Sequence, residues 1–435
     1  MPSSCRRLGA PARIISENKL DFNLLNSIER IELPRQVNDM PWFADLVSAI
    51  TCLAWLFLLC CRGFYWLMGD GLTDKRMKEH DGVSSWPKVC AIVPARNEAD
   101  VLGETLPSLL NQNYAGEFHV ILVDDHSDDG TSEVARNIAQ TLLRQDRLQI
   151  LKSAPLPNGW AGKVWAMQNG LHEVPPDAEY VLLTDADIRH PESSVSRLVE
   201  QAKRQRRDFV SLMVRLHVES KWEALLIPAF VYFFAKLYPF RWVANDKRKT
   251  AAAAGGCILV RRELIQTADG LTPISGAVID DCSLAKLVQS RGATLWLGLG
   301  SDFASVRRYT SLAEIWNMVA RSAFVQLNYS LWLLVGTAIG MTLLYLVPVV
   351  ITIAGICLIS LGHTDWIWPG MLGLVAWCIM SATFVPILRW YRLALWRVIT
   401  LPAAGFLYTL MTIDSAIRFW QRRAGAWKGR PYEMH

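Results

Sequence analysis

Three long apolar runs constrain the fold of this 435-residue chain most strongly. They cover residues 40–68, 331–361 and 366–388, and each is long enough to cross a bilayer as one helix. Hydrophobic residues make up 51% of the chain, and many of its eighteen Trp lie in apolar runs, as is typical of membrane-interface anchors. We therefore predict an integral membrane protein with a transmembrane helix in each of the three runs.

Basic residues indicate how these helices are oriented. Arg62 lies near the end of the first run and the cluster Lys75, Arg76 and Lys78 follows it, while Arg389, Arg392 and Arg397 follow the third run. Lys and Arg collect on the cytoplasmic side of membrane proteins. We therefore expect the domain between the first and second runs to face the cytoplasm.

The two ends of the chain and one further run are less regular. Residues 1–39 form a polar tail, which is either disordered or precedes a true start at Met40. Residues 398–413 are apolar but short, contain Pro402 and Gly405, and have basic residues on both sides. A full crossing would place basic residues on both sides of the membrane, whereas Lys and Arg normally collect on the cytoplasmic side. We therefore predict a re-entrant or short membrane helix there, followed by a basic tail over 414–435.

The region 87–328 has the pattern of an α/β domain with a mostly parallel sheet, because short apolar runs alternate with helical segments. We predict strands over 88–94, 118–124, 147–151, 180–184 and 208–214. The net charge of +5 does not indicate a nucleic-acid partner. None of the nine Cys forms a Cys-x-x-Cys pair, and we predict no disulfide framework.

Two helical segments of this domain carry apolar stripes rich in aromatic residues, over 221–240 and 311–328. Such helices can pack on the sheet or lie in the membrane interface. Their large aromatics and their closeness to the transmembrane runs favour the interface, and we predict interfacial helices in both places.

The fourth predicted strand ends in Thr184-Asp185-Ala186-Asp187. Side chains alternate along a strand, so Asp185 and Asp187 point the same way. Two carboxylates there can hold a hard divalent cation that shares its ligands with substrate phosphates. The alternative is an ordinary polar exit from a strand, where Asp is common.

Further polar motifs are predicted at the same edge of the sheet, where ligands of open α/β sheets bind. They are Pro94-Ala95-Arg96-Asn97-Glu98, Asp124-Asp125, Lys163 in a Gly-rich segment, and Asp280-Asp281. Each alone reads as a turn or a helix cap. Their order along the chain makes the combination far more specific.

In this order the motifs resemble those of family-2 glycosyltransferases with the GT-A fold, over about residues 87–325. The segments 159–166 and 316–321 resemble in particular the membrane-attached, lipid-glycosylating branch, which includes ceramide glucosyltransferases and, most similar, hopene-associated glycosyltransferases. The family transfers a sugar from a nucleotide-sugar donor to an acceptor hydroxyl, usually with inversion.

The resemblance implies roles for the matching residues. The nucleoside would be held by Pro94, Ala95, Arg96 and Glu98 together with Asp124 and Asp125. Either Asp124 or Asp125 would accept a hydrogen bond from the N–H of the base. Lys163 would meet the donor diphosphate. Asp187, helped by Asp185, would bind Mn²⁺ or Mg²⁺ bridging the diphosphate of a UDP-sugar.

The same resemblance places the acceptor chemistry at Asp281, which would deprotonate the hydroxyl, with Asp280 in place of the usual Glu. Helix capping is the alternative role for this pair. Processive relatives carry Gln-x-x-Arg-Trp, where this chain has Met318, Arg321 and Ser322. Arg321 would still reach the diphosphate, and the missing Gln and Trp favour a single transfer.

We therefore predict a metal-dependent glycosyltransferase of the bacterial inner membrane that moves a sugar to a membrane lipid in hopanoid biosynthesis. Its partners would be the nucleotide-sugar donor, the lipid acceptor and the bilayer. A polysaccharide synthase is the alternative enzyme. A catalytically inactive membrane scaffold is the alternative from another class, although Asp185, Asp187 and Asp281 are all present.

Overall fold

The computed structural model describes residues 41–69, 71–72, 85–423, 426–428 and 430–431. The predicted tail over 1–39 and the basic cluster at 75–78 lie outside these residues. The described chain combines one large sheet, helices on its faces, and a group of long apolar helices.

Eight strands form the sheet. They are β1 (Val89–Ala95), β2 (Phe118–Asp124), β3 (Leu148–Lys152), β4 (Tyr180–Thr184), β5 (Ile188–Arg189), β6 (Phe209–Arg215), β7 (Cys257–Arg261) and β8 (Leu295–Ser305). Their order is β3-β2-β1-β4-β7-β6-β8-β5. Each predicted strand is present within one residue of its expected bounds, whereas β5, β7 and β8 were not predicted.

The sheet is mostly parallel, because β1 pairs parallel with β2 and β4, β2 with β3, and β6 with β8. β7 runs antiparallel between β4 and β6, and β5 runs antiparallel to the end of β8. β8 therefore ends close to the residues that follow β4. The predicted α/β class, with a mostly parallel sheet joined to membrane-type helices, is confirmed.

Helices in chain order are α1 (Pro41–Cys60), α2 (Ala99–Leu110), α3 (Thr131–Thr141), α4 (Gly162–His172), α5 (Ser194–Gln205), α6 (Lys221–Leu237), α7 (Phe240–Val243), α8 (Arg262–Ile265), α9 (Asp280–Ser290), α10 (Leu312–Gln326), α11 (Leu331–Met341), α12 (Val347–Ser360), α13 (Ile367–Trp390) and α14 (Leu401–Trp420). Among the described residues, five helical stretches are long and apolar enough to cross a membrane. They are Trp42–Cys60, Lys221–Val243, Leu331–Ser360, Thr364–Trp390 and Leu395–Trp420.

Alternate residues of the central strands enter two separate cores. Val93 and Leu122 point into a core completed by α2 and α5, whereas Ile92 and Val123 point into a core that contains α4. This second core continues into the long apolar helices, since it includes Leu388 of α13. One face of the sheet is thus packed continuously against the membrane-type helices.

The helix α6 lies at this junction. The Phe233 ring meets the rings of Tyr345 and Tyr408 edge-on, with centroids 5.3 and 5.0 Å apart. The buried Tyr232 hydroxyl lies 2.7 Å from Thr383 Oγ1 on α13. Aromatic stripe residues of α6 therefore contact other membrane-type helices, while the predicted interfacial position stays a prediction.

Hydrogen bonds attach the helix α10 to α14. Trp316 Nε1 donates to Asp414 Oδ2 at 2.6 Å, and the backbone N–H of Phe324 donates to Ser415 Oγ at 3.0 Å. The segment 311–328 is thus packed along the last long helix. Its predicted place in the membrane interface likewise stays a prediction.

The segment 398–413, expected as a re-entrant or short membrane helix, falls mostly within the 20-residue helix α14. Pro402 stands in the first turn, where the missing N–H costs no hydrogen bond. Gly405 permits close packing, because a Cβ there would lie 2.8 Å from Cγ of Tyr345. The proline therefore starts the helix and does not break it.

Candidate active site

Carboxylates from three parts of the fold converge on one cavity of about 1770 Å³. Glu98 follows β1, Asp185 and Asp187 follow β4, and Asp280 and Asp281 begin α9. The cavity is also lined by aromatic residues of α6, including Phe230 and Phe233, and by residues of α10, α11 and α14. A charged region and an apolar region therefore share one continuous space.

Lys163, in the first turn of α4, lies at the centre of the acidic region. Its Nζ is 2.8 Å from Asp185 Oδ1 and 3.0 Å from Asp280 Oδ2. Burial opposes the charge of this ammonium, but the two carboxylates outweigh burial and raise the pKa of Lys163 well above its usual value. Lys163 therefore remains a cation that joins β4, α4 and α9.

Asp281 is held by backbone groups on both of its oxygens. The N–H of Gly255 donates to Oδ2 at 2.9 Å, and the N–H of Cys282 donates to Oδ1 at 2.7 Å. Burial and the neighbouring charge of Asp280 raise the pKa of Asp281 to about 7. A carboxylate with this pKa is suited to accept a proton near neutral pH.

Asp185 and Asp187 both line the cavity, but they follow β4 and do not stand on the strand, so the predicted alternation is not the reason for their shared position. Asp187 Oδ2 accepts from Ser305 Oγ at 2.9 Å and from Arg307 Nε at 3.1 Å. Within the described ranges, no group of three or more His, Cys, Asp or Glu side chains could hold a metal ion. Two carboxylates fit a hard cation that takes its other ligands from substrate phosphates and water.

Arg307 is a site residue that the sequence analysis missed. Its Nη2 lies 2.6 Å from Glu98 Oε2, while its Nε contacts Asp187, so one guanidinium joins the acids that follow β1 and β4. Burial raises the pKa of Glu98, and the charge of Arg307 opposes that shift. The signal in the sequence is the basic pair Arg307-Arg308, which stands just after the end of the unpredicted strand β8.

Lys428 is a second missed residue, and it comes from the other end of the chain. Its Nζ lies 3.1 Å from Glu98 Oε2, and it lines the same cavity. It lies in the segment 414–435 that was predicted as a basic tail. A basic composition alone did not indicate which part of the fold this tail contacts.

The predicted nucleoside-binding residues form a tightly bonded loop region. Arg96 Nη1 donates to the backbone oxygens of Asp125 at 2.5 Å and of His126 at 3.2 Å. Asp124 Oδ1 accepts from the N–H of Ser127 at 2.8 Å, and Asp124 Oδ2 accepts from the Ser132 hydroxyl. Both aspartates are buried, and either one stays a candidate for the base contact.

Eight of the twelve predicted site residues line the cavity: Pro94, Glu98, Lys163, Asp185, Asp187, Asp280, Asp281 and Arg321. Ala95, Arg96, Asp124 and Asp125 do not line it. Arg321 reaches the cavity from α10, and its buried Nε has no hydrogen-bond partner within the part of the chain that the structure describes. An unpaired buried donor of this kind favours an anionic ligand.

The domain around this site is similar to a known protein family. Residues 90–268 match the sequence model of glycosyl transferase family 2. This part of the chain is thus similar to glycosyl transferase family 2. Together with the mostly parallel sheet, this match confirms the predicted GT-A fold class.

Three curated relatives are similar over part of their length. A probable glycosyltransferase of Bacillus subtilis, YdaM, is 24% identical over 44% of this chain and 45% of the relative. The undecaprenyl-phosphate 4-deoxy-4-formamido-L-arabinose transferase of Edwardsiella ictaluri is 31% identical over 26% and 33%. The beta-monoglucosyldiacylglycerol synthase of Synechocystis is 30% identical over 26% and 22%. The matches thus span less than half the length of these relatives.

Solved structures are also similar to this chain. The mannosyltransferase PcManGT of Pyrobaculum calidifontis, in complex with GDP-Man and Mn²⁺, is 16% identical with a TM-score of 0.49, over 87% of this chain and 99% of that one. The mannosyl-3-phosphoglycerate synthase of Rubrobacter xylanophilus is 21% identical with a TM-score of 0.34, over 58% and 74%.

Proposed function

We propose that this protein is an inverting glycosyltransferase that moves one sugar from a UDP-sugar to the hydroxyl of a membrane lipid. The observation that carries the proposal is the single cavity that joins the acidic residues to the aromatic surface of α6. A water-soluble charged donor and an apolar acceptor can meet in such a space. The match of residues 90–268 to glycosyl transferase family 2 supports this reaction class.

The donor diphosphate is proposed to bind beside Lys163, with Arg321 as a second cation. Lys163 is already held in place by Asp185 and Asp280, so little of its freedom is lost when a phosphate oxygen approaches. The unpaired Nε of Arg321 gives a further donor. Lys163 on α4 and Arg321 on α10 would thus hold the leaving group in place.

Asp185 and Asp187 would hold Mn²⁺ or Mg²⁺ in this site. The ion would act as a Lewis acid that offsets the charge on the departing diphosphate. Support comes from the hard oxygen ligands of the two carboxylates. Ser305 and Arg307 fix the orientation of Asp187 from the end of β8.

Asp281 is the proposed general base. Its ionised carboxylate takes the proton of the acceptor hydroxyl while that oxygen bonds to C1 of the sugar and the bond from C1 to the diphosphate oxygen breaks. The N–H groups of Gly255 and Cys282 keep the carboxylate oriented. Burial favours its proton-bound form and makes it a stronger base than an exposed Asp.

The acceptor is proposed to enter from the bilayer along the apolar part of the cavity. Removing a large hydrocarbon skeleton from the membrane costs several kcal/mol, at about 25 cal/mol per Å² of apolar surface. A cavity bounded by α6, α10, α11 and α14 avoids this cost, because only the hydroxyl end has to reach Asp281. A polycyclic isoprenoid alcohol of the hopanoid type is the proposed acceptor.

Two relatives support a lipid acceptor in general terms. One is named for transfer to undecaprenyl phosphate and one for synthesis of a glucosyldiacylglycerol. Arg389 in the last turn of α13 and Arg392 and Arg397 after it support a catalytic domain on the cytoplasmic side of the inner membrane.

The experiment is a transfer assay with purified protein in lipid nanodiscs. Labelled UDP-sugars are supplied together with diacylglycerol, undecaprenyl phosphate or a hopanoid alcohol, and products are identified by mass spectrometry. We expect one sugar on the hopanoid alcohol, dependent on Mn²⁺ or Mg²⁺, and far less product with Asp281→Asn. A polymer product would instead support a polysaccharide synthase, and transfer only to another lipid would reject the hopanoid acceptor.

A further inference from the structure

The C-terminal hairpin, in which residues 426–427 pair antiparallel with 430–431, is placed against the loop that follows β1. Lys428 lies in its turn, with a positive φ of 49°. Lys428 Nζ donates to the backbone oxygen of Asn97 at 3.0 Å, and Arg96 Nε donates to the backbone oxygen of Lys428 at 3.2 Å. Contacts of both side chain and backbone thus join parts of the chain that are more than 300 residues apart.

The loop that the hairpin touches is the one proposed to hold the nucleoside. Lys428 and Arg307 both contact the same oxygen of Glu98, at 3.1 and 2.6 Å, and Arg307 also contacts Asp187. Lys428 is therefore connected to Asp187, which is proposed to bind the metal, through Glu98 and Arg307. Its side chain lines the cavity, with about a quarter of its surface exposed.

The charges around Lys428 are balanced before any ligand binds. Glu98 and Asp187 contribute two negative charges, and Arg307 and Lys428 contribute two positive charges. A nucleoside diphosphate with its divalent cation adds phosphate oxygens at this place. An ammonium on a flexible four-carbon stem can exchange a carboxylate for a phosphate oxygen with a small movement.

We propose that the C-terminal hairpin completes the donor site and that Lys428 binds the diphosphate of the nucleotide sugar. This inference rests on the proposed function, because it takes a nucleoside diphosphate as the ligand. The backbone contact with Arg96 positions the hairpin, and the ammonium is the group that meets phosphate. The hairpin that was predicted only as part of a basic tail is then a part of the donor site.

The test compares Lys428→Ala, Lys428→Arg and the control Arg422→Ala in the full-length protein. Arg422 is an exposed cation of the same tail that does not line the cavity. Affinities for UDP and for uridine are measured by calorimetry in nanodiscs with Mn²⁺ present. Uridine shares the base and ribose with UDP but lacks phosphates, so it separates contact with phosphate from support of the nucleoside loop.

We expect Lys428→Ala to weaken UDP binding about tenfold or more, as for the loss of one charge-assisted hydrogen bond, and to leave uridine binding unchanged. Lys428→Arg should retain most of the UDP affinity, and Arg422→Ala should match the wild type. Equal losses for UDP and uridine would show that Lys428 only supports the loop and would overturn the inference.

Unchanged UDP affinity in Lys428→Ala would also overturn it, while leaving the proposed function in place. The proposed function fails in a different way, if the wild type itself binds neither UDP nor any of GDP, CDP and dTDP.

A truncated chain ending at Arg423 is the second variant. It should bind UDP as weakly as Lys428→Ala does, and wild-type UDP affinity in the truncated chain contradicts a donor site completed by the tail.

Discussion

Lys163 Nζ lies 2.8 Å from Asp185 Oδ1, so an ammonium in the first turn of α4 is bonded to the carboxylate that follows β4. The same nitrogen lies 3.0 Å from Asp280 Oδ2 on α9. One cation thus restrains two carboxylates at the place where the donor diphosphate is proposed to bind. Its removal affects both the charge and the geometry of the site.

Lys163→Met retains the length of the side chain and removes its charge. We expect UDP affinity to fall about tenfold or more, because a charge-assisted contact with phosphate is lost and two carboxylates are left without their cation. Calorimetry with UDP measures the change. The exposed Lys152, changed to Met, is the matched control, and equal UDP affinity in both variants would contradict the role of Lys163.

Asp281→Asn removes the proposed base and preserves the shape of the side chain. We expect donor binding to persist and the rate of transfer to fall about 10²- to 10⁴-fold, the usual cost of losing a general base. Single-turnover assays with UDP-sugar and lipid acceptor measure the rate. Near-normal turnover in a folded variant would reassign Asp281 to capping of α9.

The pH dependence of transfer follows from the same residue. Asp281 acts as a base only when it is ionised, and burial raises its pKa to about 7. The rate constant for transfer should therefore rise with pH up to about 7 and level off above it. Asp281→Asn should lack this rise, and a wild-type profile that is flat from about pH 5 to 8 rules out this assignment.

Asp187→Ala tests the metal site. We expect the variant to fold, because Asp187 lies at the cavity wall and its side chain bonds only to the side chains of Ser305 and Arg307 among the contacts given above. We also expect it to lose the part of UDP affinity that depends on Mn²⁺. UDP titrations with Mn²⁺ and with EDTA give this difference. Asp177→Ala is the control, since Asp177 is an exposed acid that pairs with Lys88 and lies before β4. If Mn²⁺ increased the UDP affinity of Asp187→Ala as much as that of the wild type, Asp187 would not be a metal ligand.

The acids of the site could be predicted from the sequence because of how parallel strands are arranged. The ends of β1, β2 and β4 meet at one edge of the sheet, so the local motifs at these strand ends were enough to place Glu98, Asp124 and Asp185 at that edge. The strands themselves were apparent because their runs are apolar and short. The strand β8 was missed, since Gly298 and Gly300 interrupt its pattern.

The cations that complete the site could not be predicted in this way. Arg307 joins Glu98 and Asp187 only because β8 ends beside the exit of β4, which requires knowledge of the strand order. Lys428 contacts Glu98 across 330 residues of sequence, and no local pattern records such a contact. The basic tail was apparent from composition, whereas the contact of its Lys428 with Glu98 depends on the tertiary structure.

A prediction for the acceptor path uses two glycines on α11. A Cβ added to Gly340 or to Gly336 would meet no atom within 4 Å, so a larger side chain fits at either position without a clash. Gly340 lines the cavity, whereas Gly336, one turn earlier on the same helix, does not. The two positions therefore form a matched pair that differs in access to the cavity.

The added side chain of Gly340→Leu should narrow the apolar part of the cavity, whereas that of Gly336→Leu should lie outside the cavity. We expect Gly340→Leu to lower the rate of transfer to the lipid acceptor and to raise its KM, because the apolar skeleton loses space. UDP affinity should match the wild type in both variants, since neither glycine lies beside the acids. Leu is favoured over Gly within a helix, so a loss of folding is not expected, and thermal unfolding checks this. Equal transfer rates in the two variants would show that the acceptor reaches Asp281 by a route that does not pass α11.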